Sequence, residues 1–201
     1  MRFAYPGYTA ARPPIGGRIH QGDIMKLRIT AAAAAVLFIA GIGVGYGAQK
    51  LRPAPETYRD KAPQEAAKAL LEIAQAQSGK NGSWELIGAG RVYYLGGFKA
   101  EGQQIFDRLL NGKHEDSDVY RIARVYAEAG DWDKAKPLFE QFLARNPKDA
   151  RAFAEVAARY LLQGDRVTAE RLFDRAIDLD DGDPWVTEPM AGAYLGVKPQ
   201  E

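Results

Sequence analysis

The chain of 201 residues contains no cysteine and only two histidines, His20 and His114. Without cysteine it has no disulfide, no zinc–thiolate site and no thiol nucleophile. The histidines and acidic residues take no spacing that is typical of a metal site, and no Ser or Thr has a candidate base partner. We therefore predict a protein that is not an enzyme and that has no catalytic residue, cofactor, metal or small-molecule substrate.

Two patterns resemble ligand-binding motifs but lack essential members. The aspartates from Asp178 to Asp183 are not in the order of a calcium loop, which needs a glycine at a fixed place and a distant glutamate. Glycines alternate from Gly41 to Gly47, yet no strand precedes them as a dinucleotide-binding loop requires. Neither pattern supports a ligand site.

The net charge of +1 conceals an uneven distribution. Residues 1–55 hold seven Lys and Arg against a single acidic residue, whereas the rest of the chain holds twenty basic and twenty-five acidic residues. An acidic domain binds nucleic acid poorly, because neutralising phosphates requires clustered cations. We expect no nucleic-acid partner.

The beginning of the chain predicts a membrane segment. Residues 1–24 are rich in Gly, Pro and Arg, and they form either a disordered extension or a stretch that precedes a true start at Met25. Residues 25–49 resemble a signal-anchor, since a short basic stretch leads into an uncharged run from Ile29 to Gln49. A transmembrane helix needs about 20 apolar residues. Residues 50–62, interrupted by two prolines, read as a linker.

We predict a single-pass protein of the bacterial inner membrane, held by residues 29–49, with the rest of the chain in the periplasm. Cleavage of the segment as a signal peptide, giving a secreted or periplasmic protein, is the alternative. A cut after Ala48 would place the bulky Tyr46 where a small residue is needed, which favours the anchor.

The strongest pattern is an internal repeat between Asp116 and Asp183. Residues of similar character recur at a spacing of 34, a period typical of repeat arrays. The first copy contains Val119, Ile122, Ala123, Tyr126, Gly130, Ala135, Phe139, Phe142 and Pro147. The second contains Phe153, Val156, Ala157, Tyr160, Gly164, Ala169, Phe173, Ala176 and Asp181.

Each copy is predicted to be a pair of helices. The apolar residues of its first half lie three and four positions apart, so they share one helix face. Gly130 then breaks the helix, because glycine readily takes the left-handed turn conformation. A second apolar helix follows and ends before Pro147. The small side chains of Ala123 and Ala135 let the two helices approach closely.

The order small residue, Tyr, Gly, Ala, Phe, Pro at these offsets resembles the tetratricopeptide repeat. The resemblance implies an all-α solenoid of helical hairpins, preceded here by one transmembrane or signal-anchor helix. It also implies a concave face, lined by the first helix of each repeat, on which partner proteins bind. The Lys and Asn residues by which some family members clamp chaperone tails are absent, so that partner is not expected.

We predict about three repeats with a half-unit at each end, within residues 63–197. The repeats lie near 83–115, 116–149 and 150–183, the half-units correspond to helices at 64–77 and 187–197, and residues 198–201 form a tail. In the first repeat, Gly90 and Gly102 replace the usual alanines. Since glycine costs about 1 kcal/mol relative to alanine in a helix, we expect this repeat to be less stable than the others.

The function implied is non-catalytic protein binding. Aromatic and Arg side chains dominate the energies of protein interfaces, so those of the first helices that packing does not use are the candidate groove residues. They are Trp84, Ile87, Arg91, Tyr94, Tyr120, Arg124, Glu128, Arg151, Ala158 and Leu161. We expect this groove to hold a segment of a membrane or periplasmic protein, with the arginines meeting carboxylates or carbonyls.

Two more specific functions stay open. The chain has the layout of assembly factors for envelope complexes, such as the apparatus for c-type cytochrome biogenesis. The repeats also suit an accessory subunit of a membrane enzyme complex.

Overall fold

The computed structural model of the chain describes residues 52–79 and 82–200. Within these ranges it contains nine α-helices and no strand, which confirms the predicted all-α class for the described part. The helices are α1 (Pro55–Tyr58), α2 (Pro63–Gln77), α3 (Ser83–Leu95), α4 (Lys99–Asn111), α5 (Asp116–Glu128), α6 (Trp132–Arg145), α7 (Ala150–Leu162), α8 (Arg166–Leu179) and α9 (Pro184–Tyr194).

Six of these helices form three hairpins, in which α3 packs on α4, α5 on α6 and α7 on α8. Each hairpin turns at a glycine with positive φ, at Gly97 (93°), Gly130 (78°) and Gly164 (87°). The amide after the glycine donates to a carbonyl five residues back, with N···O distances of 2.9 to 3.0 Å. This hydrogen bond satisfies a carbonyl at the end of the first helix. The predicted helical hairpins, each broken at a glycine, are therefore present.

The core runs continuously through the three hairpins. Ala123 and Ala135 are completely buried, as expected of small residues where two helices meet. Phe106, Phe139 and Ile122 fill the space beside them and expose none of their surface. Because each hairpin buries its apolar face against the next, no unit has a complete core of its own.

The glycines of the first repeat have a packing role that the sequence analysis missed. A Cβ atom on Gly102 would lie 2.8 Å from the carbonyl oxygen of Gly90 and 2.9 Å from the backbone nitrogen of Tyr94. A Cβ on Gly90 would lie 2.5 Å from the ring of Phe106. The interpretation of these glycines as weakened alanine positions is therefore wrong, since α3 and α4 approach too closely for alanine.

The last helix covers the open end of the array. Val186 of α9 is fully buried in a small cluster with Ala154 and Ala176. The helix begins at Pro184, with the Asp183 carboxylate accepting a hydrogen bond of 3.0 Å from the Trp185 amide. The predicted start near Thr187 is wrong, because an Asp cap followed by Pro in the first turn begins the helix earlier.

The predicted linker also contains a short helix. Pro55–Tyr58 forms a single helical turn, in which proline takes the first helical position, where its missing N–H costs nothing. In residues 52–79 and 82–200, no helix has the length and apolarity needed to cross a membrane. The predicted span at 29–49 and the extension at 1–24 lie outside the described residues.

Candidate functional site

The first helices of successive units form one surface, which we call the groove face and define by α3, α5, α7 and α9. Two clefts lie along it. The α3–α5 cleft, of about 370 Å³, is lined by Trp84, Arg91, Arg121 and neighbouring residues. The α5–α9 cleft, of about 550 Å³, is lined by residues of α5, α7 and α9 and of the segment after α9. Arg124 lines both clefts, so they adjoin.

A stacked Arg–Trp pair dominates the α3–α5 cleft. The Arg121 guanidinium lies 3.5 Å from the centre of the Trp84 ring, and 55% of Trp84 is exposed. Gly88 opens the space beside this pair, since a Cβ placed there would meet nothing within 4 Å. Stacking holds the Arg121 guanidinium flat while its N–H donors stay available at their edges. The pair can therefore receive a carboxylate or carbonyl oxygen.

The other arginine of this cleft is held by a neighbouring repeat. Arg91 on α3 binds Glu128 on α5 through two hydrogen bonds, one of them from Nε at 2.6 Å. Such a forked pair fixes both side chains. Glu128, which was predicted to face a partner, therefore neutralises Arg91.

The α5–α9 cleft combines charges of both signs with a second exposed tryptophan. Arg124 Nε lies 3.2 Å from a carboxylate oxygen of Glu155. Arg151 donates to Asp183 at 2.5 Å, and its guanidinium lies 6.0 Å from the centre of the Trp185 ring. The bond from Arg151 lowers the pKa of Asp183, which keeps that carboxylate ionised. Trp185 is 55% exposed.

A segment of the chain itself enters this cleft. Residues 197–200 come after α9 and form no helix, and all four line the cleft. Nη2 of Arg124 donates to the backbone carbonyl oxygen of Gln200 at 2.5 Å. The arginine side chain that we expected to meet a partner's carbonyl thus meets one from its own chain.

Five of the predicted groove residues line the clefts: Trp84, Ile87, Arg91, Arg124 and Arg151. The prediction that packing does not use Ile87, Tyr94 and Ala158 is wrong, since they are only 5%, 2% and 0% exposed. Tyr94 is enclosed by Phe106 and Tyr126, with ring centres 5.8 and 5.4 Å away. Ile87 keeps only a small surface in its cleft.

Tyr120 and Leu161 also contribute mainly to the core. The Tyr120 ring packs 4.5 Å from Phe142, centre to centre, and burial with the nearby Glu155 carboxylate raises the pKa of its hydroxyl well above the usual value. Leu161 packs partly buried against the same core. The prediction that packing leaves Tyr120 and Leu161 free is therefore wrong as well, because both side chains pack against the core.

Three residues of the clefts were not predicted from the sequence: Arg121, Glu155 and Trp185. Signals for two of them were present. Arg121 lies three residues before Arg124 on α5, so the two side chains share one face of the helix. Trp185 lies thirty-four residues after Arg151, at the equivalent repeat position. In the described ranges, no group of three or more His, Asp or Glu residues is placed to hold a metal ion.

Comparison with known proteins identifies the repeats. Residues 120–184 match the family model described as tetratricopeptide repeat. This match, over about a third of the chain, confirms the predicted resemblance to the tetratricopeptide repeat. Tetratricopeptide repeats generally serve as non-catalytic modules that bind other proteins. The hairpins α5–α6 and α7–α8 fall within the matched range.

One curated relative shares part of the chain. It is cellulose synthase operon protein C of Pseudomonas fluorescens (strain SBW25), which is 33% identical over 79 residues. The similarity covers 39% of this chain but only 6% of the relative. The chain thus spans only a small fraction of that protein's length.

Proposed function

We propose that this protein is a membrane-tethered tetratricopeptide scaffold that binds a segment of a partner protein on its groove face, without catalysis. The observation that carries this proposal is the Trp84–Arg121 pair. Leaving the apolar Trp84 ring half-exposed to water is unfavourable compared with burying it. Here the ring holds the Arg121 guanidinium flat beside the open space at Gly88. Tryptophan and arginine are the residues that most often dominate the energy of protein interfaces.

The chemistry of the groove favours an extended partner segment with acidic or carbonyl oxygens. Arg121 supplies N–H donors in the α3–α5 cleft, and Arg124 and Arg151 supply them in the α5–α9 cleft. Glu155 limits this preference, because its carboxylate already compensates Arg124. The strongest acidic contact should therefore be made at Arg121.

The membrane tether belongs to the same proposal. Residues 29–49 would hold the repeats at the inner membrane with the groove in the periplasm, which raises the effective concentration of membrane-bound partners. Fusion of alkaline phosphatase after Glu201 tests the orientation, since that enzyme is active only when exported. An inactive fusion that is fully expressed would exclude a periplasmic groove.

The groove is tested by photo-crosslinking in the native membrane. A photoreactive amino acid replaces Gly88, whose Cβ direction opens into the α3–α5 cleft. The control places the same probe at Arg171, which is exposed on α8, outside the groove face. We expect a partner that only the Gly88 probe captures, and that Arg121→Glu releases. Capture that is equal from both positions, or insensitive to Arg121→Glu, would contradict the proposal.

A second candidate is an accessory subunit of an envelope enzyme complex. It is favoured by the 79-residue similarity to a protein named for the cellulose synthase operon. An accessory subunit copurifies with its enzyme in constant stoichiometry, whereas a transient scaffold does not. Quantitative mass spectrometry after purification in mild detergent distinguishes the two.

A further inference from the structure

The segment after α9 leaves the repeat pattern at a defined point. Gly196 has a φ of 77°, and Val197 N donates to Gly192 O at 2.8 Å, as in the turns of the three hairpins. In those hairpins, the second helix follows this turn. Here the described residues 197–200 form no helix, and they return across the groove face to Arg124 on α5.

Two contacts of this segment, at Pro199 and at Gln200, are typical of a bound peptide. Pro199 is half-buried, and proline is predisposed to an extended conformation because its ring fixes φ. The Gln200 carbonyl accepts from Arg124, a residue 76 positions earlier in the chain. Trp185 and Arg151 line the same cleft. An aromatic surface, a proline and a charge-assisted hydrogen bond to a carbonyl together make a peptide-binding seat.

We propose that residues 197–200 are an internal ligand of the groove face, and that the α5–α9 cleft binds an extended, proline-containing segment of a partner that replaces them. This inference rests on the proposed function, because it names the class of segment that the groove accepts and a control on its access. A segment tethered in this way competes at an effective concentration of roughly millimolar order. A partner must exceed that competition, so removal of the segment should raise the affinity of the groove for the partner.

Binding of residues 197–200 in the α5–α9 cleft is tested without any partner. Full-length protein in mild detergent is labelled with 5-fluorotryptophan, and its fluorine resonances are assigned by Trp→Phe substitutions. One variant replaces Lys198–Glu201 with Gly-Ser-Gly-Ser, and another carries Arg124→Ala. We expect both variants to shift the Trp185 resonance in the same direction, with Trp132, which lines neither cleft, unchanged. An unshifted Trp185 resonance in the Gly-Ser variant overturns the proposal.

The second arm tests whether the cleft accepts a peptide from outside. An acetylated peptide Val-Lys-Pro-Gln-Glu, added at about millimolar concentration, should return the Trp185 resonance of the Gly-Ser variant towards its original position. Adding Arg124→Ala to that variant should abolish the return, whereas the control Arg171→Ala should not. No return at millimolar peptide, or a return that does not need Arg124, overturns the proposal. If the resonance shift and the return with peptide are both observed but no partner is crosslinked from Gly88, only the proposed function is contradicted.

Discussion

The hydroxyl of Tyr160 donates a hydrogen bond of 2.8 Å to the carboxylate of Glu140, across the boundary between two repeats. Equivalent tyrosines occur every 33 or 34 residues, and each hydroxyl meets a polar side chain on the second helix of the preceding unit. The pairs are Tyr93 with Gln75, Tyr126 with Gln103, Tyr160 with Glu140 and Tyr194 with Glu170. The tyrosine of the repeat signature thus fills the core and links adjacent units.

This link predicts the effect of removing one hydroxyl. Tyr160→Phe should lower the free energy of unfolding by about 1 kcal/mol, the usual net value of such a hydrogen bond. Glu140 is exposed, so its carboxylate regains water and adds no further cost. Tyr194→Phe is the matched control, because Tyr194 makes the equivalent bond at 3.1 Å on an exposed surface. Chemical denaturation followed by circular dichroism should give a smaller loss for Tyr194→Phe, and equal losses would refute a linking role for the buried bond.

Close packing in the first repeat gives a second prediction. Gly102→Ala should destabilise the protein by roughly 1 to 3 kcal/mol, because the new methyl group meets the Gly90 carbonyl and forces the helices apart. Gly88→Ala, on the exposed face of α3, should instead stabilise by about 0.5 to 1 kcal/mol through the better helix propensity of alanine. Thermal unfolding of both variants checks the opposite signs. Stabilisation by Gly102→Ala would show that α3 and α4 are further apart than described.

The hydrogen bonds of Asp131 predict that the free energy of unfolding depends on pH. Asp131 accepts hydrogen bonds from the Tyr94 hydroxyl at 2.6 Å and from Lys99 at 3.0 Å, and these lower the pKa of the carboxyl. A lowered pKa in the folded state adds stability that is fully present above the unfolded pKa of about 4 and is lost as pH falls through the folded pKa. Asp131→Asn should therefore be less stable than the unmodified protein at pH 7, and should lose less stability between pH 5 and pH 3.

The control for this prediction is Asp133→Asn, which removes the same charge at an exposed position of α6. Denaturant unfolding at a series of pH values gives the change of the free energy of unfolding with pH for each of the two variants. If Asp131→Asn loses stability below pH 4 as steeply as the unmodified protein, the pairing with Tyr94 and Lys99 contributes nothing to acid sensitivity.

The sequence predicted the hairpins because their pattern depends on local chemistry. Periodic apolar residues set the two helix faces, and Gly130 and Gly164 set the turns. At Gly90 and Gly102 the same reasoning failed. Their identity is decided by the distance between two helices, which a comparison with alanine propensity does not include.

The candidate site was only partly predictable. Trp84, Arg124 and Arg151 line the clefts as expected, because their positions face away from their own hairpins. Tyr94 did not follow this rule, since the neighbouring repeat covers it. The contact between Arg124 and Gln200 joins residues 76 positions apart in the chain, and no local pattern encodes a contact at that separation.

Binding of a partner to the groove face through Arg121 is best measured by the affinity of that partner for variants of Arg121. The partner captured from Gly88 is titrated against the full-length protein, Arg121→Glu and the control Arg171→Glu. We predict at least a tenfold weaker Kd for Arg121→Glu, which corresponds to about 1.4 kcal/mol, and an unchanged Kd for Arg171→Glu. Equal affinities for all three proteins would show that Arg121 does not hold the partner.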